Sequence, residues 1–322
     1  MRILYLSQYF PPEIGATQTR AYEMATNLVR MGHKVTVLCE IPNHPKGIVF
    51  PEFRGKRVVR REENGVEIHH LWVYTSPVKN FKTRMLFYLT FAFSAVIAGV
   101  FLTRGRFDVV YATSPPLFVG AAGRIIAAIK RTKFVFEVRD LWPDSAVALG
   151  ELSEGRAARL ARSLEHHCYR SAKKLIVVTQ GIYDTLSTRG GGTYRERLRL
   201  ITNGTNTAFF RRVESQETIK QLELTEKFVA IYAGIFGIAQ GMHTIIECAE
   251  LLKNENVIFL LIGEGPLKIE LAHEIHTKKC TNVILHDEVT RENMPHFYST
   301  ANASIVPLRR LEIFKGALPS KM

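Results

Sequence analysis

Short apolar runs alternate with helical stretches along almost the whole sequence. RILYLS (2–7) reads as a buried strand and PPEIGA as the loop after it. From Thr17 to Met31, apolar Ala21, Met24, Ala25 and Leu28 recur at helical spacing. Gly32-His33 ends that helix and KVTVLC (34–39) is the next strand, so the chain opens with a β-α-β unit. VEIHHLWV (66–73), FDVVYAT (107–113), KFVFEV (133–138), KLIVVT (174–179) and RLRLIT (197–202) continue the series. Strands and helices in alternation predict a parallel, doubly wound sheet. TRGGGTYRER (188–197) reads as a mobile surface loop within this series.

A second series begins near residue 227, with strands at KFVAIYAG (227–234), NVIFLLIG (256–263), NVILHDE (282–288) and ASIVPL (303–308) and a helix from Met242 to Leu252. The expected architecture is α/β, two Rossmann-like domains facing across a cleft, residues 1–203 and 204–322. Asn203 to Glu226 joins the two series. A doubly wound domain usually has about five or six strands. The second series has fewer and stops at KGALPSKM without a closing helix, so the second domain is expected to be incomplete and the chain truncated.

The formal net charge is +13, and its placement matters more than its size. Residues 1–200 hold 30 Lys/Arg and 16 Asp/Glu, a net +14, whereas residues 201–322 hold 13 and 14, a net −1. A basic first domain fits an anionic membrane surface or a nucleic acid. A generally basic soluble surface is the plain alternative. No RNP motif, basic zipper or zinc-finger spacing occurs, which disfavours nucleic acid. Cys39, Cys168, Cys248 and Cys280 are scattered and form no C-x-x-C pair, as expected of buried reduced thiols in a cytoplasmic protein. MRILYLSQYF is too short before its first prolines to be a signal peptide.

One stretch, MLFYLTFAFSAVIAGVFL (85–102), carries no charge. As a helix it would reach about 27 Å, close to a bilayer's hydrocarbon thickness. Lys79, Lys82 and Arg84 precede it and Arg104 and Arg106 follow, so the flanks give no orientation. A crossing would put strands that must share one sheet on opposite sides of a membrane. Two readings remain: a core helix packed closely at Ser94 and Gly99, or a helix part-exposed and dipping into headgroups, which the basic first domain favours.

The main chemical signal is glycine-rich turns after strands: Pro11–Gly15, Asn203-Gly204, Gly234–Gly241 and Gly263–Gly265. Such turns let phosphates approach amide N–H groups beside a helix N-terminus. Each alone is also a plain strand–helix turn; together they would lie at the carboxyl ends of strands, where open α/β sheets bind ligands. None is a G-x-G-x-x-G at the first strand or a P-loop, which disfavours a dinucleotide oxidoreductase. EVRDLWPDS (137–145) sets Arg139, Asp140 and Asp144 at a strand's carboxyl end beside Trp142. These groups could hold a sugar or work in acid–base chemistry; otherwise the segment is a helix start with Asp140 as cap. His44 in NHPKG (43–47) could face the cleft. His273 and His276 lack an evident third ligand, and the pairs His69-His70 and His166-His167 point to different faces, so no bound metal is expected.

These motifs, with SQYFPPEIGATQTR (7–20), ATSPP (112–116), NGTNTAFF (203–210), YAGIFGIAQGMHTII (232–246), GEGP (263–266) and KGALPSKM (315–322), resemble glycosyltransferase family 4, the retaining transferases of GT-B fold. The WbuB-like subgroup of bacterial surface-polysaccharide assembly is the most similar. The resemblance implies a nucleotide-sugar donor, UDP-linked rather than GDP-linked, and no cofactor or metal. It implies Gly234 and Gly237 near the donor diphosphate, with Gln240 in the same loop, Glu264 and Gly265 near the nucleoside, and Ser320 and Lys321 by the donor phosphates. Asn203 and Gly204 join that donor-binding set. Gly15 would lie beneath the transferred sugar, and Arg139 and Asp140 would be catalytic. His44 and Asp144 would lie on the acceptor side. Many members carry an Arg and a Lys where this chain has Ile235 and Gln240, and a His where it has Arg139. The first of the family's paired glutamates falls at Gly316 and the second beyond Met322, so the chain as given is expected to have impaired activity.

The resemblance thus implies transfer of a sugar to a polyprenyl-diphosphate-linked saccharide in O-antigen, capsule or exopolysaccharide synthesis, by a peripheral enzyme at the inner face of the cytoplasmic membrane. A UDP-sugar epimerase of the same architecture and a non-catalytic membrane-bound scaffold subunit are the alternatives. Neither sugar, linkage nor oligomeric state is legible.

Overall fold

The structure, a computed structural model, describes residues 1–78 and 80–319, so Lys79, Ser320, Lys321 and Met322 lie outside the described residues. The chain divides into two units, one of Met1–Asn203 with Lys315–Ala317, the other containing Gly204–Phe314. The first is built on eight strands: β1 Arg2–Leu6, β2 Lys34–Glu40, β3 Val58–Glu63, β4 Val66–Leu71, β5 Val109–Thr113, β6 Lys133–Val138, β7 Lys174–Val177 and β8 Leu198–Leu200. Their spatial order is β3-β4-β2-β1-β5-β6-β7-β8. The helices are α1 Ala16–Arg30, α2 Phe81–Ile97, α3 Leu117–Ile129, α4 Asp144–Ala148, α5 Arg156–Ser171 and α6 Gln180–Thr188. Because the chain winds outward from β1 in both directions, the order reverses between β1 and β5. That switch point is where a doubly wound sheet opens a crevice at its carboxyl edge.

Leu4, Tyr5 and Leu6 of β1 are fully buried, so the central strand reads as an unbroken apolar run. Ala21 and Ala25 let α1 lie close to that face, over Ile3, Tyr5, Val35 and Val37. Helix α3 uses glycine to the same end. A Cβ at Gly120 would come 2.5 Å from the Phe136 ring, and one at Gly123 would come 2.8 Å from Ala112.

The first sheet is not wholly parallel. Strand β3 runs antiparallel to β4 at one edge, Glu63 opposite Val66. Asn64 and Gly65 between them have φ of 50° and 75°, the left-handed pair that a tight hairpin needs. VVRREE has no apolar alternation because nearly all of β3 is exposed.

Residues 81–102 form one helical segment, α2 followed by a π-turn over Ala98–Leu102. Asn80 and Thr83 start it with a reciprocal capping box. β4 before it and β5 after it share one sheet, so the segment lies along the unit rather than leaving it. One side, with Phe91, Ala95, Ala98 and Gly99, is buried, and a Cβ at Gly99 would strike Ile126 of α3. The other side presents Leu86, Leu89, Phe93, Ile97 and Phe101 to solvent, with Phe93 67% and Phe101 77% exposed. The intervals of three and four place these five on one helical stripe. The segment is therefore packed on one face and exposed on the other. Length and composition alone would let this helix cross a membrane, yet only 22% of its apolar window is buried within the protein. Exposed Ile125 and Ile129 on the neighbouring α3 add to the apolar surface. Of the basic flanks, Lys82, Arg104 and Arg106 are exposed, whereas Arg84 is engaged with Glu151 at 2.9 and 3.1 Å.

The segment 188–197 is anchored rather than loose. Tyr194 is fully buried, Arg189 pairs with Asp144 and Glu165, and Arg197 donates to the carbonyls of Arg170 and Ala172. The glycines, all at positive φ, make the reversal between these anchors. Cys39, Cys168 and Cys280 are buried free thiols as expected, but Cys248 is exposed.

The second unit is a smaller parallel sheet, β11-β10-β9-β12, from β9 Phe228–Ala233, β10 Val257–Ile262, β11 Val283–His286 and β12 Ala303–Ser304. Of the expected strand at 303–308, only two residues pair, against Ala230 and Ile231. Its helices are α7 Gln216–Gln221, α8 His243–Leu251, α9 Lys268–Thr277 and α10 Met294–Thr300. The order reverses between β9 and β12, next to the glycine-rich turn after β9.

Candidate active site

In the second unit, parallel neighbours β9 and β10 end in two glycine turns that interlock. The Phe236 N–H donates to the Glu264 carbonyl at 2.8 Å, and the Leu267 N–H donates back to the Phe236 carbonyl at 3.1 Å. Gly263, at φ +150°, lies so close to Gly234 that a Cβ would overlap its carbonyl oxygen. A Cβ on Gly265 would come 2.6 Å from the Phe236 oxygen. These positions require glycine for packing between turns as well as for any approach of a ligand. Gly237 leads into a short 3-10 turn containing Gln240, and Gly241 takes the left-handed conformation before α8. The Tyr232 hydroxyl, donating to the Ile235 carbonyl at 2.6 Å, braces the first turn from below. Thus Gly234, Gly237, Gln240, Glu264 and Gly265 come together as one backbone-lined edge. Glu264 is ion-paired with Lys268 at 2.6 Å, and Lys268 also reaches Asp287. Asn203 and Gly204 sit where the two units divide. Ser320 and Lys321 lie outside the described residues.

In the first unit, Gly15, His44, Arg139 and Asp140 all follow the carboxyl ends of strands. Gly15 caps α1, its carbonyl accepting the Thr19 N–H at 3.0 Å. The loop holding His44 is fixed by Glu13, whose Oε1 accepts the N–H groups of Asn43 and His44 at 2.7 and 2.8 Å. Glu40 lies beside Glu13 and accepts from Gln8 at 2.8 Å and from Asn43 at 3.1 Å. Burial pushes both carboxyls up, and the charge of Glu13 raises Glu40 further. PPEIGA gave no sign of this, because Glu13 and Glu40 meet only through the sheet.

Asp140 accepts the Ser145 hydroxyl at 2.8 Å, and burial raises its carboxyl above the ordinary value. Both Asp144 oxygens accept from arginines, Arg162 at 2.8 Å and Arg189 at 2.5 Å. Asp144 therefore ties α4 to α5 and to the 189 segment, and its carboxylate is already engaged. Around these groups runs a line of aromatic rings that sequence spacing did not reveal. His44 meets Tyr9 at 5.4 Å, Tyr9 meets Phe87 at 6.3 Å, and Phe87 meets Tyr88 at 5.5 Å. Tyr88 stacks on Phe118 at 6.5 Å, and Phe118 meets Trp142 at 6.1 Å. The line connects the His44 loop to the Asp140 loop by way of α2. Among the described residues, no group of three His, Cys, Asp or Glu is placed to hold a metal ion.

The two-unit fold is that of GT-B transferases. Sucrose-phosphate synthase from Thermosynechococcus elongatus superposes with a TM-score of 0.70 at 16% identity, over 99% of this chain and 77% of that one. HepE from Anabaena, solved in complex with UDP-glucose, superposes with a TM-score of 0.68 at 16% identity, over 96% and 74%. Residues 15–204 match the glycosyl transferase 4-like domain and residues 214–316 match glycosyl transferases group 1. The chain belongs to the glycosyl transferase 4-like family and is a glycosyltransferase. The putative colanic acid biosynthesis glycosyl transferase WcaI of Escherichia coli K12 is 23% identical to it over all of this chain and 80% of WcaI.

Proposed function

We propose that this enzyme moves a sugar, with retention at the anomeric carbon, from a UDP-sugar to a polyprenyl-diphosphate-linked saccharide at the inner face of the cytoplasmic membrane, in surface-polysaccharide assembly. The observation that carries the reading is the apolar stripe Leu86–Leu89–Phe93–Ile97–Phe101 on a unit whose basic excess is otherwise unexplained. Five exposed large apolar residues on one stripe, flanked by Lys82, Arg104 and Arg106, fit an anionic bilayer surface. The aromatic line from α2 toward Asp140 suits a lipid-borne sugar, because rings pack against both isoprenoid chains and sugar faces. HepE, with its UDP-glucose, and WcaI, named for colanic acid, support the donor and the pathway.

In this reading the turns at Gly234–Gln240 and Glu264–Gly265 hold the nucleotide diphosphate with backbone N–H groups, with Asn203, Gly204, Ser320 and Lys321 assisting. Gly15 leaves room for the transferred sugar. Arg139 and Asp140 are catalytic, with His44 and Asp144 on the acceptor side. The acceptor oxygen forms a bond to the anomeric carbon as the carbon–oxygen bond to the diphosphate breaks. The acceptor's proton passes to the leaving phosphate oxygen, and N–H and cationic groups stabilise the charge that develops there.

Flotation with vesicles tests the membrane side. The enzyme should float with vesicles containing phosphatidylglycerol and stay in solution with phosphatidylcholine alone. Phe93→Asp combined with Phe101→Asp should abolish flotation while leaving the circular dichroism spectrum unchanged. Equal flotation of wild type and double variant would overturn the assignment of this face.

A further inference from the structure

We propose that the buried side of Arg139 is a subsite for an anionic oxygen group, carboxylate or phosphate, on the substrate. The proposal rests on the transferase reading and specifies what that site recognises. Three charged groups converge at the carboxyl end of β6, and their charges do not cancel. Glu137, fully buried, accepts Arg20 through Nε at 2.9 Å and also through Nη2. Arg20's further donors reach the carbonyls of Ile201 and Thr202, each at 3.4 Å. Arg139 is left over. Its Nε and Nη1 are buried and have no hydrogen-bond partner among the described residues. Two guanidinium groups stand by one carboxylate that is bonded to Arg20 alone, leaving one positive charge in excess.

The surroundings offer more donors than the protein uses. The Tyr5 hydroxyl is also buried without a partner, and that of Tyr111, whose ring meets Tyr5 edge-on at 5.1 Å, has Glu137 beside it. Both tyrosines are held neutral, chiefly by burial and next by Glu137, so each can donate a proton to an acceptor oxygen. The second Glu137 oxygen is likewise unbonded, and one tyrosine hydroxyl can turn to it. Burial also pulls the Arg139 guanidinium below its ordinary value. A buried charge with unfilled donors is costly unless something completes it. Arg139 as a whole remains partly exposed, just past the carboxyl end of β6, one strand away from the switch point between β1 and β5. Its planar fork matches two oxygens of a carboxylate or phosphate.

The test is calorimetric titration of the full chain with inorganic pyrophosphate, with glucuronate, and with glucose as the neutral control. Wild type should bind at least one anion, and Arg139→Gln should weaken it at least about tenfold. Arg139→Lys, keeping the charge but not the fork, should fall between. An effect on glucuronate assigns the site to an acidic sugar; an effect on pyrophosphate alone assigns it to a diphosphate. Anion affinities unchanged in Arg139→Gln, or glucose bound as well as glucuronate, would overturn the subsite. If Arg139→Gln does not fold, the Lys variant decides by the same comparison. UDP titrated in parallel separates the two levels. A wild type that does not bind UDP counts against the UDP-sugar donor proposed above, while the anion arms, run without nucleotide, still decide the subsite.

Discussion

Glu165 lies 3.0 Å from the Arg189 guanidinium and accepts the Tyr169 hydroxyl at 2.7 Å, yet burial outweighs both and pushes its carboxyl up to about 7 from 4.5. The raised value means that the folded state holds a proton the unfolded chain has released. Its stabilising contribution is complete below about pH 4.5 and is lost as pH rises through about 7, a swing of about 3 kcal/mol. Glu165→Gln should therefore flatten the fall in melting temperature between pH 5 and 8, becoming relatively more stable toward pH 8. Parallel curves for the two proteins would show that Glu165 ionises freely. Residues like this were not legible in the sequence. Arg20 and Glu137 stand 117 positions apart, and their pairing exists only after β6 and α1 are in place. Arg139 and Asp140 did stand out, because charges beside Trp-Pro after an apolar run are unusual. Which of them was paired did not.

At the scale of elements, fully buried strands were the most legible feature, since their sequences have no polar face to confuse the reading. KFVFEV was read with the bounds it has in the sheet. Strand β3 was missed because an exposed edge strand carries no apolar signal, although Asn64-Gly65 marks the turn that makes it. The glycine turns were legible as turns, but not as partners of each other. That interlock makes a strong demand at Gly263. Gly263→Ala would force a Cβ into the Gly234 carbonyl, at a backbone φ that alanine rarely adopts. We expect a loss of about 2–4 kcal/mol in urea unfolding, with nucleotide binding lost in the same variant. A stable variant with unchanged nucleotide affinity would show that the turns are not held in this arrangement.

Across the whole molecule, charge and apolar exposure are distributed unequally. The first unit carries the positive excess, the exposed helix stripe and the aromatic line; the second is nearly neutral and carries the interlocked turns. The charge asymmetry was legible by counting. The stripe was not, because an uncharged run of eighteen residues does not say which side another helix covers. Packing of α3 at Gly99 decided it. The division suits an enzyme that takes a soluble donor on one unit and a membrane-borne acceptor on the other.

The most direct test of that account is a thermal-shift titration of the chain with UDP, GDP and NAD. Ligand bound only by the folded state adds about 2.7 kcal/mol at about a hundredfold excess over Kd. UDP should raise the melting temperature, GDP should do so less, and NAD should leave it unchanged. A shift with NAD alone, or no shift with any of the three, would contradict a UDP-sugar transferase.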